Sequence, residues 1–454
     1  MLNVLPINFD LLCLHELNPE RYPYILESVA HGTSQSRFDI LFAFPQESLR
    51  LDANQVLSGK EQTHKQNFLS SLQQWFTDEY DSETETPQKL PFSGGWFIYL
   101  AYEIAQEIEP GLNLPHAKDG QTVAYASRCP SAIIRDHELG LTYIFTEQAF
   151  SGYTKLMEDD VDHVINNTDA EVLTDITCTQ YSEQPAQRYL CSVEKIHQYI
   201  IDGDIFQVNL SREWKMKVNQ EQSSTRLYRN LRINNPAPFS GLAKLPDMSI
   251  ISSSPERLVK LTGKTLETRP IAGTRPRSGD AIEDLRLSDE LLAHPKEQAE
   301  HIMLIDLERN DIGRVCEPGS IEVNELMSLE SYQHVHHIVS NVKGTIRDGV
   351  TPVDVIKAVF PGGTITGCPK VRCMEIIAEL EQSPRGAYTG SMGYINKDGS
   401  MDLNILIRTL VLNNDEISIR AGAGIVNDSI AENELEETRA KARGLLQALC
   451  IKDA

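Results

Sequence analysis

Apolar residues come in short, nearly unbroken runs along the first third of the chain: 38–44 (FDILFAF), 94–101 (GGWFIYLA), 131–134 and 141–145. Runs of this length, rich in aromatic and β-branched residues, predict buried strands. Further on the pattern is mixed. Residues 189–202 carry apolar positions at helical spacing. Residues 207–210, 250–253, 258–261, 405–412 and 417–420 read as strands, and 297–307 and 369–380 as helices. Strand and helix do not alternate regularly, which argues against a doubly wound parallel sheet. The order predicts an α+β architecture of mostly antiparallel sheets. Two weak stretches interrupt it. The acidic, turn-rich segment 76–88 (FTDEYDSETETPQ) predicts an exposed loop. The second, about 156–186, is rich in Asp, Asn and Thr, and divides the chain into regions 1–170 and 185–454. No internal repeat is present.

A length of 454 residues allows two or three structural units or one composite domain, and 41% hydrophobic content supports a sizeable core. The net charge of −23 argues against nucleic acid or an anionic membrane as a primary partner. An anionic substrate must then be met by local cations or a metal. No run reaches transmembrane length. The first residues have no basic start and contain acids, unlike a secretory signal. The eight cysteines are scattered without Cys-x-x-Cys, as expected for reduced thiols of a cytoplasmic protein.

Two Glu-x-x-Glu pairs stand out: Glu297 with Glu300, and Glu434 with Glu437, the latter followed by Lys441. On a helix, positions i and i+3 share a face, so each segment aims two carboxylates at one point. If the helices meet, the carboxylates repel unless a cation joins them, and hard oxygen ligands suit Mg²⁺. The plainer reading is two solvated helix faces. In 360–369 (FPGGTITGCP), Gly362, Gly363 and Gly367 permit close backbone approach, and the helix start that follows suits an anion. By itself the loop reads more readily as a plain tight strand-to-helix turn. Residues 421–426 (AGAGIV) read as a second glycine-rich turn. They lack the third glycine of a dinucleotide fingerprint but could form a small anion nest. Lys441 and Arg408 are candidate carboxylate partners. Glu256, ending a strand-like run, is a candidate general acid if its site is closed. His334 and His336 fall on one strand face and His337 on the other. Gln207 is polar within a strand-like run.

Taken together, these stretches resemble the chorismate-utilising enzymes: the large subunits of anthranilate synthase and aminodeoxychorismate synthase, with isochorismate and salicylate synthases as cousins. The matching text runs from about 185 to 448. It includes GDIFQVNLS, SSPERLV, ETRPIAGTRPR, AEHIMLIDLERNDIGRV, HHIVSNVKG, FPGGTITGCPKVRCMEII, MDLNILIRTL, AGAGIVNDS and ELEETRAKA. The resemblance implies two antiparallel sheets packed face to face, helices outside, and a site in a cleft between them. It implies Mg²⁺ on Glu300 and Glu437, supported through water by Glu297 and Glu434. It implies that Gly422, Ala423 and Gly424 with Lys441 hold the ring carboxylate of chorismate, and that Arg408 grips the enolpyruvyl carboxylate. Glu256 would protonate the departing C4 hydroxyl. His337 and Thr364 would contact the ring, with Gly363 alongside. Cousins that activate water carry a Lys base where this chain has Gln207, which points to an amine-using member. Ammonia would come from a separate glutamine amidotransferase subunit.

Within the family, FPGGTITG, HHIVS, PAPFSG and SRFDI resemble the aminodeoxychorismate branch. One departure is Ala272, in PIAGT, where many members of that branch carry a nucleophilic Lys. Anthranilate synthases carry the same Ala. Leu26, Glu27 and Ser28 resemble the tryptophan pocket of anthranilate synthases; a plain packed segment fits as well.

Overall fold

The computed structural model describes residues 1–5, 9–30, 36–60, 67–82, 90–167, 176–219, 223–331 and 335–449. Two sheets dominate it, and every strand pairing in both is antiparallel. The 12-stranded sheet runs in spatial order Leu2–Leu5, Leu141–Thr146, Ser131–Asp136, Phe38–Ala43, Tyr24–Glu27, Phe239–Lys244, Ser249–Ser254, Thr409–Asn413, Glu416–Ile425, Gln207–Val218 and Cys178–Glu183. Gly367–Cys368 adds at the start of Gln207–Val218. The 11-stranded sheet runs Ile271–Pro276, Val335–Thr345, Thr265–Thr268, Arg257–Thr262, Met401–Asn404, Ser391–Asn396, Gly95–Leu100, Thr122–Cys129, Ser48–Asp52 and Leu57–Gly59, with Glu322–Ser331 on Val335–Thr345. Each sheet takes strands from both sides of 156–186.

The sheets share one core. Tyr24 stacks on Phe97 with ring centroids 4.0 Å apart, and Phe42 meets Phe97 and Tyr394. The opposite face of the larger sheet is covered by helices, and strand alternation shows it. Ile40 and Phe42 point into the inter-sheet core, while Leu41 and Ala43 point into the helix-covered cluster. Ile250 and Ile251 divide in the same way. Burial on both faces is why these segments read as unbroken apolar runs rather than alternating ones.

Seven elements carry the site: β1 (Gln207–Val218), β2 (Ser249–Ser254), β3 (Ile271–Pro276), α1 (Pro295–Gly313), β4 (Val335–Thr345), β5 (Glu416–Ile425) and α2 (Ala431–Ala448). Both Glu-x-x-Glu pairs are helical, as predicted.

Four local expectations are corrected. Residues 421–425 are not a turn but the second half of β5, paired with β1. Their glycines answer close neighbours: a Cβ on Gly422 would stand 2.6 Å from Asn209 Oδ1, and one on Gly424 2.4 Å from Gln207 Nε2. The predicted strand 405–412 begins only at Thr409, because Arg408 adopts φ +51° and breaks the extended backbone. Residues 76–79 end the helix Phe68–Glu79 rather than opening a loop, since Phe76 is buried beside Trp96; 83–89 lie outside the described residues. The stretch 156–186 contains the end of the helix Gly152–Asn167 and the strand Cys178–Glu183. Among the described residues, seven cysteines are free, and no helix is long and apolar enough to cross a membrane.

Candidate active site

A cavity of about 790 Å³ is lined by residues of β1, β3, β4 and β5, by α1 and α2, and by the loops at Glu256, Thr364 and Arg408. Ala272, Gln207, Gly422, Gly424, Lys441 and the four paired glutamates are all on its wall, as is His337. Sequence positions some 230 apart thus meet because β1 and β5 are neighbours and α1 and α2 flank them.

Glu256 follows β2. Ser254 fixes its approach: the hydroxyl accepts from the Glu256 N–H (3.2 Å) and donates to the Ile405 carbonyl (2.5 Å). The carboxyl is buried and accepts from Thr364 Oγ1. Burial pushes its pKa up to about 7, against the Thr364 hydrogen bond and the charges of Lys441 and Arg408. A carboxylic acid of that pKa holds its proton near neutrality and can give it up. His337, on β4, has Nδ1 3.0 Å from Thr274 Oγ1. Burial, then the nearby Arg408, lowers it to about 3, so the ring is neutral. His336 faces away, with Nε2 3.0 Å from Asp284 Oδ1, as the strand alternation predicts. His334 lies outside the described residues.

The four glutamates face the cavity with protein partners in place. Arg275 Nη1 stands 3.3 Å from Glu297 Oε1, Gln207 Nε2 donates to Glu300 Oε1 (2.8 Å), and Lys441 Nζ pairs with Glu437 Oε1 (2.7 Å). Burial raises the pKa of Glu300, and the charges of Glu297 and Glu437 raise it further. Glu434 is raised likewise, by burial and by Glu437. Among the described residues no three acidic, imidazole or thiol groups are close enough to grip an ion as they stand. The donor chemistry nonetheless fits Mg²⁺: hard oxygens gather on one wall, and the charge of Glu437 works against ionisation of both Glu300 and Glu434.

β5 supplies a second recognition surface. The neighbouring strand Thr409–Asn413 leaves it at Ile419, so its second edge is open from Arg420 onward. Lys441 Nζ donates to the Gly422 carbonyl (3.1 Å), which therefore points to that edge. Opposite Gly422 and Gly424, the N–H groups of Ser211 and Asn209 bond away from β5, to Glu381 and to Thr366. Both pairs are thus the non-hydrogen-bonded kind, and the Gly422 and Gly424 N–H groups turn to the open edge. Ala423 pairs with Leu210 instead and does not line the cavity.

Gly363 is also off the wall: a Cβ there would stand 2.5 Å from Leu307, so its close approach is to α1. The helix Lys370–Glu381 starts at a different cleft, lined by Pro369, Lys370 and Asp311. Leu26, Glu27 and Ser28 do not line the cavity either. Glu27 is buried, accepting from Tyr228 Oη (2.6 Å) and Arg232 Nη1 (3.2 Å); burial, then Asp39, raises it to about 7. The Ser28 N–H donates to Asp39.

Sequence reasoning missed Thr274, Arg275, Lys296, Asn209 and Tyr388, all on the cavity wall. Thr274 and Arg275 sit inside the quoted ETRPIAGTRPR, where strand placement beside HHIVS was the available signal. Lys296 reads as an ordinary helix-surface lysine.

A family model described as chorismate binding enzyme matches residues 23–447. The anthranilate synthase component I-like protein of Synechocystis sp. is 44% identical over 366 residues, 80% of this chain and 74% of that protein. Aminodeoxychorismate synthase component 1 of Bacillus subtilis is 41% identical over 403 residues, 85% of this chain and 83% of the relative. Among solved structures, anthranilate synthase component I from Streptococcus pneumoniae superposes with a TM-score of 0.80 at 32% identity, covering 91% of this chain and 93% of that one.

Proposed function

The chain belongs to the chorismate-binding enzyme family, and on that premise we propose that it is the large subunit of an aminodeoxychorismate synthase. It aminates chorismate at C4 to give 4-amino-4-deoxychorismate, for 4-aminobenzoate and folate synthesis. The reading of amination is supported by a buried acid whose pKa is pushed up to about 7, Glu256, on the same wall as Gln207, where a hydrating relative needs a base. An amide cannot deprotonate water. The branch assignment rests on FPGGTITG, HHIVS, PAPFSG and SRFDI, and on the relative from B. subtilis.

Chorismate enters as a dianion. Arg408, Lys441 and the open N–H groups of Gly422 and Gly424 meet its carboxylates. Ammonia adds at C2, both ring double bonds shift, and the C4–O bond breaks as Glu256 gives its proton to the leaving oxygen, releasing water. A second ammonia adds at C4 and expels the C2 amine. Ala272 offers no nucleophile for the first step, so ammonia takes that part. The neutral His337 and Thr364 orient the ring. Glu300 and Glu437, with Glu297 and Glu434 beside them, would hold Mg²⁺, which when bound neutralises the acidic wall and draws a substrate carboxylate to it. Ammonia comes from a glutamine amidotransferase subunit. Tryptophan remains a ligand of this reading at Leu26, Glu27 and Ser28.

One observation favours a second reading, anthranilate synthase component I: Ala272 itself, with the anthranilate synthases among the relatives. The test is a product assay with chorismate, Mg²⁺ and ammonium, separated by chromatography with mass detection. 4-Amino-4-deoxychorismate is the expected product. Anthranilate with pyruvate would overturn the proposal.

A further inference from the structure

β3 carries a bulge at the cavity wall. Its pairing with β4 shifts register between Ala272 and Thr274, and Gly273 between them takes φ +66°. Strict alternation would turn Thr274 and Arg275 to opposite faces, yet Ala272, Thr274 and Arg275 all line the cavity. Two neighbours pack on the bare Cα of Gly273: a Cβ there would stand 2.8 Å from Glu297 Oε2 and 2.9 Å from Leu291 Cδ1. Glu297 is in the first turn of α1, and Leu291 is buried in the helix Ala281–Ala293 that leads into it. Arg275 reaches the same two helices. Its Nη1 stands 3.3 Å from Glu297 Oε1 and donates to the Thr274 carbonyl (3.0 Å), while Nε stands 3.5 Å from Glu290 Oε1. The side chains of Arg275 and Glu297 are 22% and 20% exposed and that of Glu290 44%, so the inner pair is the less screened. Lys441 and Glu437 differ: they lie four residues apart on α2, and their pair joins no second element.

We propose that Arg275 is a built-in counter-ion of the metal wall, which competes with Mg²⁺ for Glu297 and links the filling of that wall to the seating of the helix Ala281–Ala293. The inference rests on the metal reading above. Without a metal, the guanidinium supplies the positive charge beside Glu297. A divalent cation brought to the same carboxylate repels the guanidinium and replaces it. Glu290 is the other carboxylate that Arg275 bonds, so its hold passes from α1 to the preceding helix. That helix is lightly packed. Its buried residues are Ser288 and Leu291, while Ile282 and Leu285 are exposed. Charged ties therefore weigh more in its seating. Toward its start, Asp284 takes Arg277 (2.8 Å) and His336 (3.0 Å), away from the glutamates. Arg275 is the tie that answers to the cavity.

The test uses the full chain and two variants, Arg275→Met and Arg275→Lys. Titration calorimetry measures Mg²⁺ affinity, hydrogen exchange with mass detection follows residues 281–293 with and without Mg²⁺, and thermal melts check folding. In the wild-type protein, Mg²⁺ should slow exchange in 281–293. In Arg275→Met the competitor is gone, so Mg²⁺ should bind about threefold to tenfold more tightly, the scale of one partly screened charge. A merely structural role would not tighten metal binding. The response of 281–293 to Mg²⁺ should vanish in the same variant. Arg275→Lys keeps the charge but not the two-ended fork. Its affinity should stay within about twofold of wild type, and its exchange response should fall by about half or more. Equal or weaker Mg²⁺ binding in Arg275→Met overturns the proposal, and so does an undiminished exchange response in either variant. If the wild-type protein binds no Mg²⁺, or Glu300→Gln binds it equally well, the metal reading fails first. Glu300-dependent binding with Arg275→Met at the wild-type affinity sinks this inference alone.

Discussion

Thr364 Oγ1 donates to Glu256 Oε1 at 2.7 Å, across a loop joined to α1 by the contact of Gly363 with Leu307. This bond stabilises the carboxylate form and limits how far burial raises the acid. Proton donation needs the neutral form, so turnover at fixed free ammonia should fall as pH rises through about 7. Thr364→Val removes a group that lowers the pKa, and the alkaline limb should move up. Glu256→Gln should lose roughly 10²–10⁴ in kcat. A limb that stays in place in Thr364→Val would assign it to another group.

Ala272 lies on the cavity wall in β3, opposite Ile338 of β4. A lysine introduced there, Ala272→Lys, would carry its amine into the space where the ring binds. We expect a covalent enzyme–substrate adduct in intact-mass spectra and a reduced dependence of the first step on ammonium. An unchanged rate with no adduct would mean that attack at C2 is not decided at this position.

The same residues show what a sequence reveals. The helical Glu-x-x-Glu pairs were legible because period and chemistry coincide within a few positions; the burial of Glu256 was not, since a lone Glu after a strand is more often on the surface. The apolar strands were legible because both faces are buried. Residues 421–426 were misread because glycine signals a turn and a close strand neighbour in the same letter; only the seating of Gln207 and Asn209 against Gly424 and Gly422 tells them apart. Thr274 escaped because its role is set by His337, some sixty positions away. Gly363 and Ala423 were placed on the wall from motif membership, whereas strand alternation and α1 packing turn them off it.

The acidic wall should respond to metal. Chelation should abolish turnover and Mg²⁺ should restore it. Glu300→Gln and Glu437→Gln should each raise the Mg²⁺ concentration needed for half activity, about tenfold or more. Lys441→Met should raise the KM for chorismate, because the cation that meets the carboxylate and holds Glu437 is gone. Mg²⁺ should also raise the melting temperature of the wild-type protein but not of Glu300→Gln. Equal metal stabilisation in both would remove Glu300 from the ligand set.

Glu381 anchors the strands beneath the site. Its side chain is 1% exposed and takes Arg385 at 2.7 Å and Arg420 at 3.0 Å, while the Ser211 N–H and hydroxyl both donate to it at 2.8 Å. Ser211 is on β1 and Arg420 on β5, so one carboxylate ties together the two strands that carry Gln207, Gly422 and Gly424. Burial alone would raise its pKa, but the two guanidinium charges and the hydrogen bonds outweigh that and hold it below the usual carboxylate value. A folded pKa below the unfolded one adds stability that is complete above the unfolded value, near 4.5, and is lost as pH falls through the folded one. The wild-type melting temperature should therefore drop on acidification below about pH 4.5. Glu381→Gln keeps the shape but removes the carboxylate that two buried guanidinium groups bond directly. It should cost about 3–5 kcal/mol at neutral pH and flatten this acid dependence. A melting curve with the wild-type midpoint at pH 7 would show that the network contributes no net stability and that other packing holds β1 against β5.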